Sequence, residues 1–575
     1  MPETDLLLLH APSVYDFRKR PILYGPVSDV IPSAQIFDMY PIGFMTLLEY
    51  LQRHGYSVRI INVALRMLRS RRFDAEKLIG SLRPMAFGLD LHWLVHAQGA
   101  LALAAIIKAL HPNTPVIFGG LSSSYYHEEL IRYDQVDYVI RGDSAEEPLR
   151  RLLAAIKGQT SPADVPNLTW KDGSKVRVNG LSHVARDLNG VSFDYRMITR
   201  SCAKYLDLHG PLPFKAWFRY PIVAALSCRG CVHNCVTCGG SASAYRSICG
   251  RDAPAHRKPE LIARDMGLVS RYIKAPIIIL GDVLQAGEQY ALDLLRAIKA
   301  EKVKNHVALE FFSPPGREFL ELLADAIGKF NIQISPESHD EEIRRAFGRT
   351  YDNDALERFI DDALDLGCRR LDVFFMIGLP QQTPESVMET VRYCGELLER
   401  CRRAGFGGGR MRPFISPLAP FLDPGSRAFE APEKHGYRLF HRTLEEHRRA
   451  MLAPSWKYTL NYETKWMSRD ELVAVTYEAA IELNRLKRAY GLLGRKEAAK
   501  IAERITRERH LLHEIDKLVA LPAGPGREAK IRERMLRFDA VGPATICKKK
   551  EMNWPTGWVR FHPLRILRAA FARNR

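Results

Sequence analysis

The sequence predicts an α/β protein in three parts: a doubly wound parallel sheet over residues 1–157, a partial (β/α)6 barrel over 222–430, and a helical region over 431–575. Residues 158–221 read as a connector with little periodicity. Three observations predict this. Short apolar runs alternate with amphipathic stretches from Asp5 to Ile156, the alternation resumes near Pro221, and strand signals stop after Pro432. Strands alternating with helices assemble as parallel sheets, because each parallel neighbour needs a crossover connection. At roughly 150 residues per domain, a chain of 575 residues suits three or four units.

In the first part the strands read as "DLLLLH", "YSVRII", "MAFGL", "VIFGG" and "DYVIRG". Helical patterns lie between them: "GFMTLLEYLQRHG" stops at Gly55, and "AQGALALAAIIKALHP" is closed by Pro112. Ligands of such sheets bind beyond the carboxyl ends of the strands. Those ends are His10–Ser13, Leu89–Trp93, Gly119–Ser124 and Arg141–Ser144. Gly119 and Gly120 permit close backbone approach, Ser122 and Ser123 follow at once, and Arg141 and Gly142 end the fifth strand. That set suits a ligand with phosphate or amide groups.

In the second part "IVAAL", "IIILGD", "HVALEFF", "NIQISPES", "RLDVFFMIGLP" and "RPFISPL" are the strands. Thr383 and Pro384 start one intervening helix as N-cap and first-turn proline. In the third part Ser468 and Glu471 form a capping box ahead of a long helix.

Composition narrows the function. Hydrophobic residues make up 46% and charged residues 26%, the proportions of a globular protein. "MPETDLLLLHAPS" reads as a first buried strand and not as a leader, and no apolar stretch reaches bilayer length. The ten cysteines do not form a secreted disulfide framework, so a reducing cytoplasm is expected. The net charge of +18 suits an acidic partner, but no RNA-binding signature or aromatic-studded basic strand accompanies it, so nucleic acid is not expected.

Four cysteines crowd into "SCRGCVHNCVTCGG". Cys228, Cys231, Cys235 and Cys238 are two CxxC pairs able to hold zinc, although a zinc ribbon spaces its pairs further apart. Alternatively Cys231, Cys235 and Cys238 bind a four-iron cluster, Cys228 stays outside, and one iron remains open.

Cys231-x3-Cys235-x2-Cys238, placed after a first barrel strand and followed by Gly239-Gly240, resembles the motif of the radical S-adenosylmethionine (radical SAM) enzymes. The resemblance implies a 4Fe-4S cluster whose open iron chelates S-adenosylmethionine, and reductive cleavage to a 5′-deoxyadenosyl radical. It also implies a low-potential electron donor of flavodoxin or ferredoxin type. Gly281-Asp282 matches the family's second-strand motif near the methionine amino group, and Glu337-Ser338 the fourth-strand segment that meets the ribose. Glu310 ends the third strand within reach of the cofactor, and Gly378–Ser386 resembles the turn near the adenine. The residue before the last cysteine is usually aromatic in this family; here it is Thr237.

An α/β domain ahead of such a barrel resembles the cobalamin-binding domain of the cobalamin-dependent class. The segments that carry the resemblance are "YPIGFMTLLEYLQRHGYSVRIIN", "VIFGGLSSS" and "VDYVIRGDSAEEPL". The Asp-x-His-x-x-Gly loop of mutase-type domains is missing: "HAPS" stands in its place, and "DLHWLV" (Asp90–Val95) mimics it one strand too late. The resemblance therefore implies cobalamin bound with its own base displaced and without a histidine on cobalt, His92 and His96 serving as polar lining. The loop Asn62–Arg72 is placed beneath the corrin or in solvent.

Most members of this class methylate unactivated centres, the methyl group passing from methylcobalamin to a substrate radical; others cyclise, couple or oxidise. Methylation of a carbon on a small-molecule or lipid-like substrate is thus the expected activity. The last twenty residues carry five arginines and no acid among Trp558, Phe561, Leu564, Ile566, Leu567 and Phe571. Such a segment either lies on an anionic membrane at the cytoplasmic face or docks on the protein.

Overall fold

The computed structural model describes residues 4–20, 22–23, 39–215, 217–406, 409–417, 421–536 and 560–571. The first sheet contains β1 (Thr4–His10), β2 (Val58–Asn62), β3 (Pro84–Asp90), β4 (Val116–Gly119), β5 (Tyr138–Ile140), β6 (Leu168–Asp172) and β7 (Lys175–Val178), in the order β2-β1-β3-β4-β5-β6-β7. The first five strands pair in parallel, and β6 and β7 continue the sheet antiparallel. Central β1 is a run of leucines because both of its faces are covered: Leu6 to Leu9 are all buried.

Within residues 158–221, read from the sequence as a connector with little periodicity, lies the β6–β7 hairpin. Its two-residue turn, Gly173-Ser174, has Gly173 in the left-handed region (φ +59°), as tight hairpins require. All four residues of β7 are exposed, so no apolar alternation advertises the strand. A helix, Tyr195–Tyr205, follows, with Asp194 accepting from the Arg196 N–H at its start.

The second sheet is the six-stranded parallel barrel segment. It is built from β8 (Val223–Leu226), β11 (Ile277–Leu280), β12 (Val307–Phe311), β13 (Phe330–Glu337), β14 (Leu371–Ile377) and β15 (Met411–Pro417) in that spatial order. Between β8 and β11 a short antiparallel pair, β9 (Cys228–Arg229) and β10 (Ala255–His256), braces the start of the cysteine loop. Strands β8 and β15 are open edges. On β8 the Ala224 N–H donates to the Tyr195 hydroxyl at 3.0 Å, so the connector helix satisfies part of that edge.

Thr383 caps the helix Pro384–Arg403, and Ser468 with Glu471 caps Arg469–Ala489, both as capping boxes. Strand signals do not stop at Pro432, because β16 (Tyr437–Leu439) and β17 (Tyr462–Thr464) pair antiparallel in the third part. Of the basic tail, Trp558 and the side chains of Leu567 and Phe571 lie outside the described residues. Its helix Pro563–Phe571 packs on Tyr195–Tyr205. Among the described residues no helix is long and apolar enough to cross a membrane.

Two buried ion pairs join the sheets. Arg229 on β9 grips Glu146 with two hydrogen bonds. Arg251 does the same to Asp143, and also donates to the Ala185 carbonyl at 2.9 Å and the Ser144 hydroxyl at 3.1 Å. Removing one partner of a buried pair leaves an uncompensated charge, which costs about 3–5 kcal/mol. Arg251→Ala should therefore lose stability on that scale in denaturant unfolding. Arg251→Met with Asp143→Leu should recover most of it, and an unchanged midpoint for Arg251→Ala would refute the latch.

Candidate functional site

The carboxyl ends of the two sheets face one cavity of about 1350 Å³. The first sheet contributes Asp90, His92, Trp93, Gly119, Gly120 and Gly142 to its wall, and the barrel contributes Cys231, Cys238, Gly240 and Gly281.

On the first sheet, Gly120 has φ +115°, and a Cβ there would lie 2.6 Å from the His92 Cα, so only glycine lets the two loops meet. Ser122 and Ser123 do not line the cavity. Their hydroxyls donate to the carbonyls of His92 and Gly119, both at 3.1 Å, because hydroxyls in a first helical turn find backbone acceptors. Arg141 is likewise turned away: its guanidinium donates to the Asn179 carbonyl at the end of the hairpin that the sequence reading missed. These three side chains, expected to contact a cofactor, lie outside the cavity lining, whereas Gly119, Gly120 and Gly142 are part of it.

Asp90, the acid of the "DLHWLV" pattern, is held by His10, whose Nδ1 lies 2.9 Å from its carboxylate in a buried pair. Burial works against the charge, but His10 and its neighbours hold the Asp90 carboxyl below its usual range. His96 is fully buried, stacks edge-on against His10 at 4.7 Å, and is pushed down to about 3, chiefly by burial. His92 reaches the cavity and His96 stands behind it. The loop at Asn62–Arg72 is a helix, Val63–Arg69, away from the cavity, and Arg66 is bound to Asp207.

In the cysteine loop Cys231 is pushed up to about 11 and Cys238 up to about 12, chiefly by burial, with the neighbouring thiols and, for Cys238, Asp423 acting in the same direction. Cys235 is buried and raised as well. Thiols in this state stay protonated at neutral pH unless a metal displaces their protons. The His233 N–H points at the Cys231 sulfur at 3.4 Å, and the Gly240 N–H at the Cys238 sulfur at 3.3 Å. Gly239 donates its N–H to Asp423 at 3.0 Å, and a Cβ on Gly239 would meet the Asp423 Cβ at 2.6 Å.

Cys228 is held apart from this loop. It pairs with His256 across β9 and β10, its sulfur receives the Gln285 amide at 3.0 Å, and it lies 2.6 Å from where a Gly281 Cβ would be.

Beside the thiols is a cation that the sequence reading did not single out. Arg349 is buried, its Nη2 lies 3.4 Å from Glu337, and its Nε and Nη1 have no partner. Its guanidinium lies over the Phe312 ring at 4.9 Å, and its charge lowers the thiols of Cys231 and Cys235 against the effect of burial. Glu337 sits in the left-handed region (φ +69°) at a bulge in β13; burial raises it to about 7, and its Oε2 is unpartnered. Glu310 is raised by burial too.

Asp282 and Ser338 turn out to be joints. Asp282 accepts the N–H groups of Leu284 and Phe312, tying the end of β11 to β12. The Ser338 hydroxyl accepts from Asp340, and its carbonyl takes two bonds from Arg344. Backbone amides aimed at sulfur, and an arginine with two unspent buried N–H groups, fit an anionic metal–sulfur group.

Residues 226–394 match the radical SAM superfamily and residues 35–153 the B12 binding domain. A curated relative, cytidylyl-2-hydroxyethylphosphonate methyltransferase of Streptomyces wedmorensis, is 21% identical over 62% of this chain and 73% of its own. The fold is similar to that of the radical S-adenosylmethionine methyltransferase TsrM from Kitasatospora setae, solved with cobalamin and a [4Fe-4S] cluster (TM-score 0.56, 16% identity, 93% of this chain and 99% of that one). It is also similar to the cobalamin-dependent S-adenosylmethionine radical enzyme OxsB, solved with aqua-cobalamin and S-adenosylmethionine (TM-score 0.51, 13% identity, 93% and 71%). The chain thus carries a B12-binding domain and a radical SAM domain, and the two open on one cavity.

Proposed function

We propose that the protein transfers a methyl group to an unactivated carbon of a small-molecule or lipid-like substrate. The observation that carries this reading is the single cavity walled by Gly119, Gly120 and Gly142 on one side and by Cys231, Cys238 and Gly281 on the other. A substrate there meets both halves of the chemistry at once. When bound, the cluster with S-adenosylmethionine supplies one-electron chemistry, and cobalamin supplies a methyl group.

The chain's own residues do the remaining work. Cys231, Cys235 and Cys238 hold the cluster, and the amides of His233 and Gly240 share the charge on two of the sulfurs. Arg349 offsets the added negative charge in a site that water does not screen. Gly240 and Gly281 on the cavity wall would leave room for S-adenosylmethionine, and Glu310 and Glu337 at the ends of β12 and β13 are the carboxyl side chains that would meet it. Gly119, Gly120 and Gly142 receive cobalamin against bare backbone. An electron donor of flavodoxin or ferredoxin type serves the cluster.

Product analysis tests the reading. Turnover should add one methyl group to the substrate and release S-adenosylhomocysteine beside 5′-deoxyadenosine; the latter without the former would overturn it. Cys231→Ala, Cys235→Ala and Cys238→Ala should each lose iron after anaerobic reconstitution, whereas Cys228→Ala should retain it. Iron loss in the Cys228 variant equal to the others would place that residue among the ligands. Arg349→Gln should keep its iron but shift the cluster's reduction potential downward, because a buried positive charge favours the reduced, more negative cluster.

A further inference from the structure

The cavity continues past the cofactor-facing loops. A second limb borders the open edge strand β8 and reaches the amino end of the barrel, where Trp217, Phe218, Tyr272, Ile273, Phe561 and Ile566 line it. Their rings form one cluster: Trp217 to Phe218 is 5.6 Å, Trp217 to Phe561 5.7 Å and Phe218 to Phe561 6.0 Å. Three polar atoms of the aromatic walls are spent elsewhere. Trp217 Nε1 donates to the Ile222 carbonyl at 2.9 Å, Tyr195 serves Ala224, and the Tyr40 hydroxyl donates to Pro211 at 2.7 Å. The charged residues Arg257 and Asp265 on the same cavity wall pair with each other at 2.7 Å.

The rim of this limb is unusual in two ways. Large apolar side chains face outward: Leu206 is 93% exposed, Leu564 74%, Leu208 64% and Phe218 47%. Leu206 is moreover held in the left-handed region (φ +49°), a conformation that favours glycine, so its presence there answers to something other than the turn. An exposed apolar group of this size marks an interaction site. Around it stand Arg219, Arg271, Lys274, Arg560 and Arg565. The Arg560 guanidinium donates to the Arg219 carbonyl and that of Arg565 to the Arg271 carbonyl, and none of the five has a carboxylate partner among the described residues. The tail places these cations here by strand addition: Lys274 donates its N–H to the Arg560 carbonyl and His562 to that of Tyr272.

We infer that this limb binds the apolar chain of an anionic amphiphile, with its phosphate or carboxylate head held by the basic rim and its chain running inward along β8 toward the cysteine loop. The inference rests on the methyltransferase reading only in taking the cavity as the active site, and it places the reacting carbon on the chain and not on the head. Continuity with the cofactor-facing cavity, apolar walls and an unpaired cationic rim all point to the same occupant.

The test is binding of a dansyl-labelled long-chain fatty acid, below its micelle concentration, to the reconstituted holoenzyme, read by dansyl emission. Saturable binding is expected. Phe218→Asp and the pair Arg560→Glu with Arg565→Glu should each weaken it by about 10-fold or more, as loss of a buried apolar contact or a charge contact implies. The corresponding fatty alcohol should bind similarly to the wild type and the arginine variant. Iron content and far-ultraviolet circular dichroism should not change, which separates a lost site from a lost fold.

Absence of saturable binding, or equal binding by all variants, overturns the inference. So does association with phosphatidylglycerol vesicles without uptake of the monomeric probe, which would make the rim a membrane contact and leave the limb without a chain. Failure of the methyltransferase reading shows separately, as wild-type probe binding with no methylated product from any amphiphile.

Discussion

The hydrogen-bonded pair between Arg229 and Glu146 is the contact on which the arrangement of the whole site depends. Arg229 lies one residue after Cys228 and two before Cys231, and Glu146 opens the helix that follows β5. The Thr46 hydroxyl completes the grip from a third element at 2.6 Å from Glu146. Burial alone would neutralise Glu146, yet Arg229 and Thr46 hold its carboxyl below its ordinary range. A pair this deep contributes little net stability once desolvation is charged against it. Its effect is geometric: a bidentate fork has one good orientation, so the start of the cysteine loop is set against the carboxyl end of the first sheet. Arg251, beyond the cysteine loop, and Asp143, just ahead of Glu146, repeat the device, and together the two forks set the two sheets against each other around the cavity.

Around that frame both sides carry charge. The first sheet lines the cavity with glycine backbone, with His92, which burial keeps neutral, and with Asp90, whose carboxyl His10 helps hold below its usual range. The barrel side adds a second charged region. Three thiols, Glu310, Glu337 and Arg349 share a region where burial disfavours every ion, and Arg349 and Glu337 each keep buried hydrogen-bonding atoms without a partner. Such a cluster is poorly satisfied by protein alone, which is the expected state of a site whose remaining partners are ligands.

The strands and the cysteine spacing were legible because burial writes them directly: leucine and isoleucine runs for parallel strands, thiols for metal. All eleven predicted parallel strands are present, and Cys228, three residues ahead of Cys231, lies on β9. What was not legible depends on side-chain direction. Arg141 and Ser122 sit at the right strand ends, but pleat and helical turn aim them at backbone acceptors; sequence position places a residue near a site without saying which way it points. Arg349 was invisible for the opposite reason. It follows the helix Glu341–Phe347 in an ordinary stretch, and only the packing of that helix brings it beside Cys235. The Gly173-Ser174 turn was a readable signal that went unused, because exposed β7 lacks the apolar alternation that normally accompanies it.

The second limb of the cavity follows from the incompleteness of the barrel. An eight-stranded barrel closes its hydrogen-bond circuit and fills its interior with side chains. Six strands leave two edges, and an unpaired edge must be covered or it recruits a partner. At β8 the cover is partial. Tyr195 satisfies one backbone group, the segment from Leu208 to Ile222 forms a wall pinned by Asn62 and Tyr40, and residues 560–562 pair beside Tyr272–Lys274. Aromatic side chains bridge the remaining gap without filling it. The connector and the C-terminal tail are thus the stretches that shape the space in which a substrate would lie. That division follows from physics: the cofactor-facing loops are constrained by cofactors, whereas an edge cover needs only to be apolar and of the right length, which leaves it free to be fitted to a substrate.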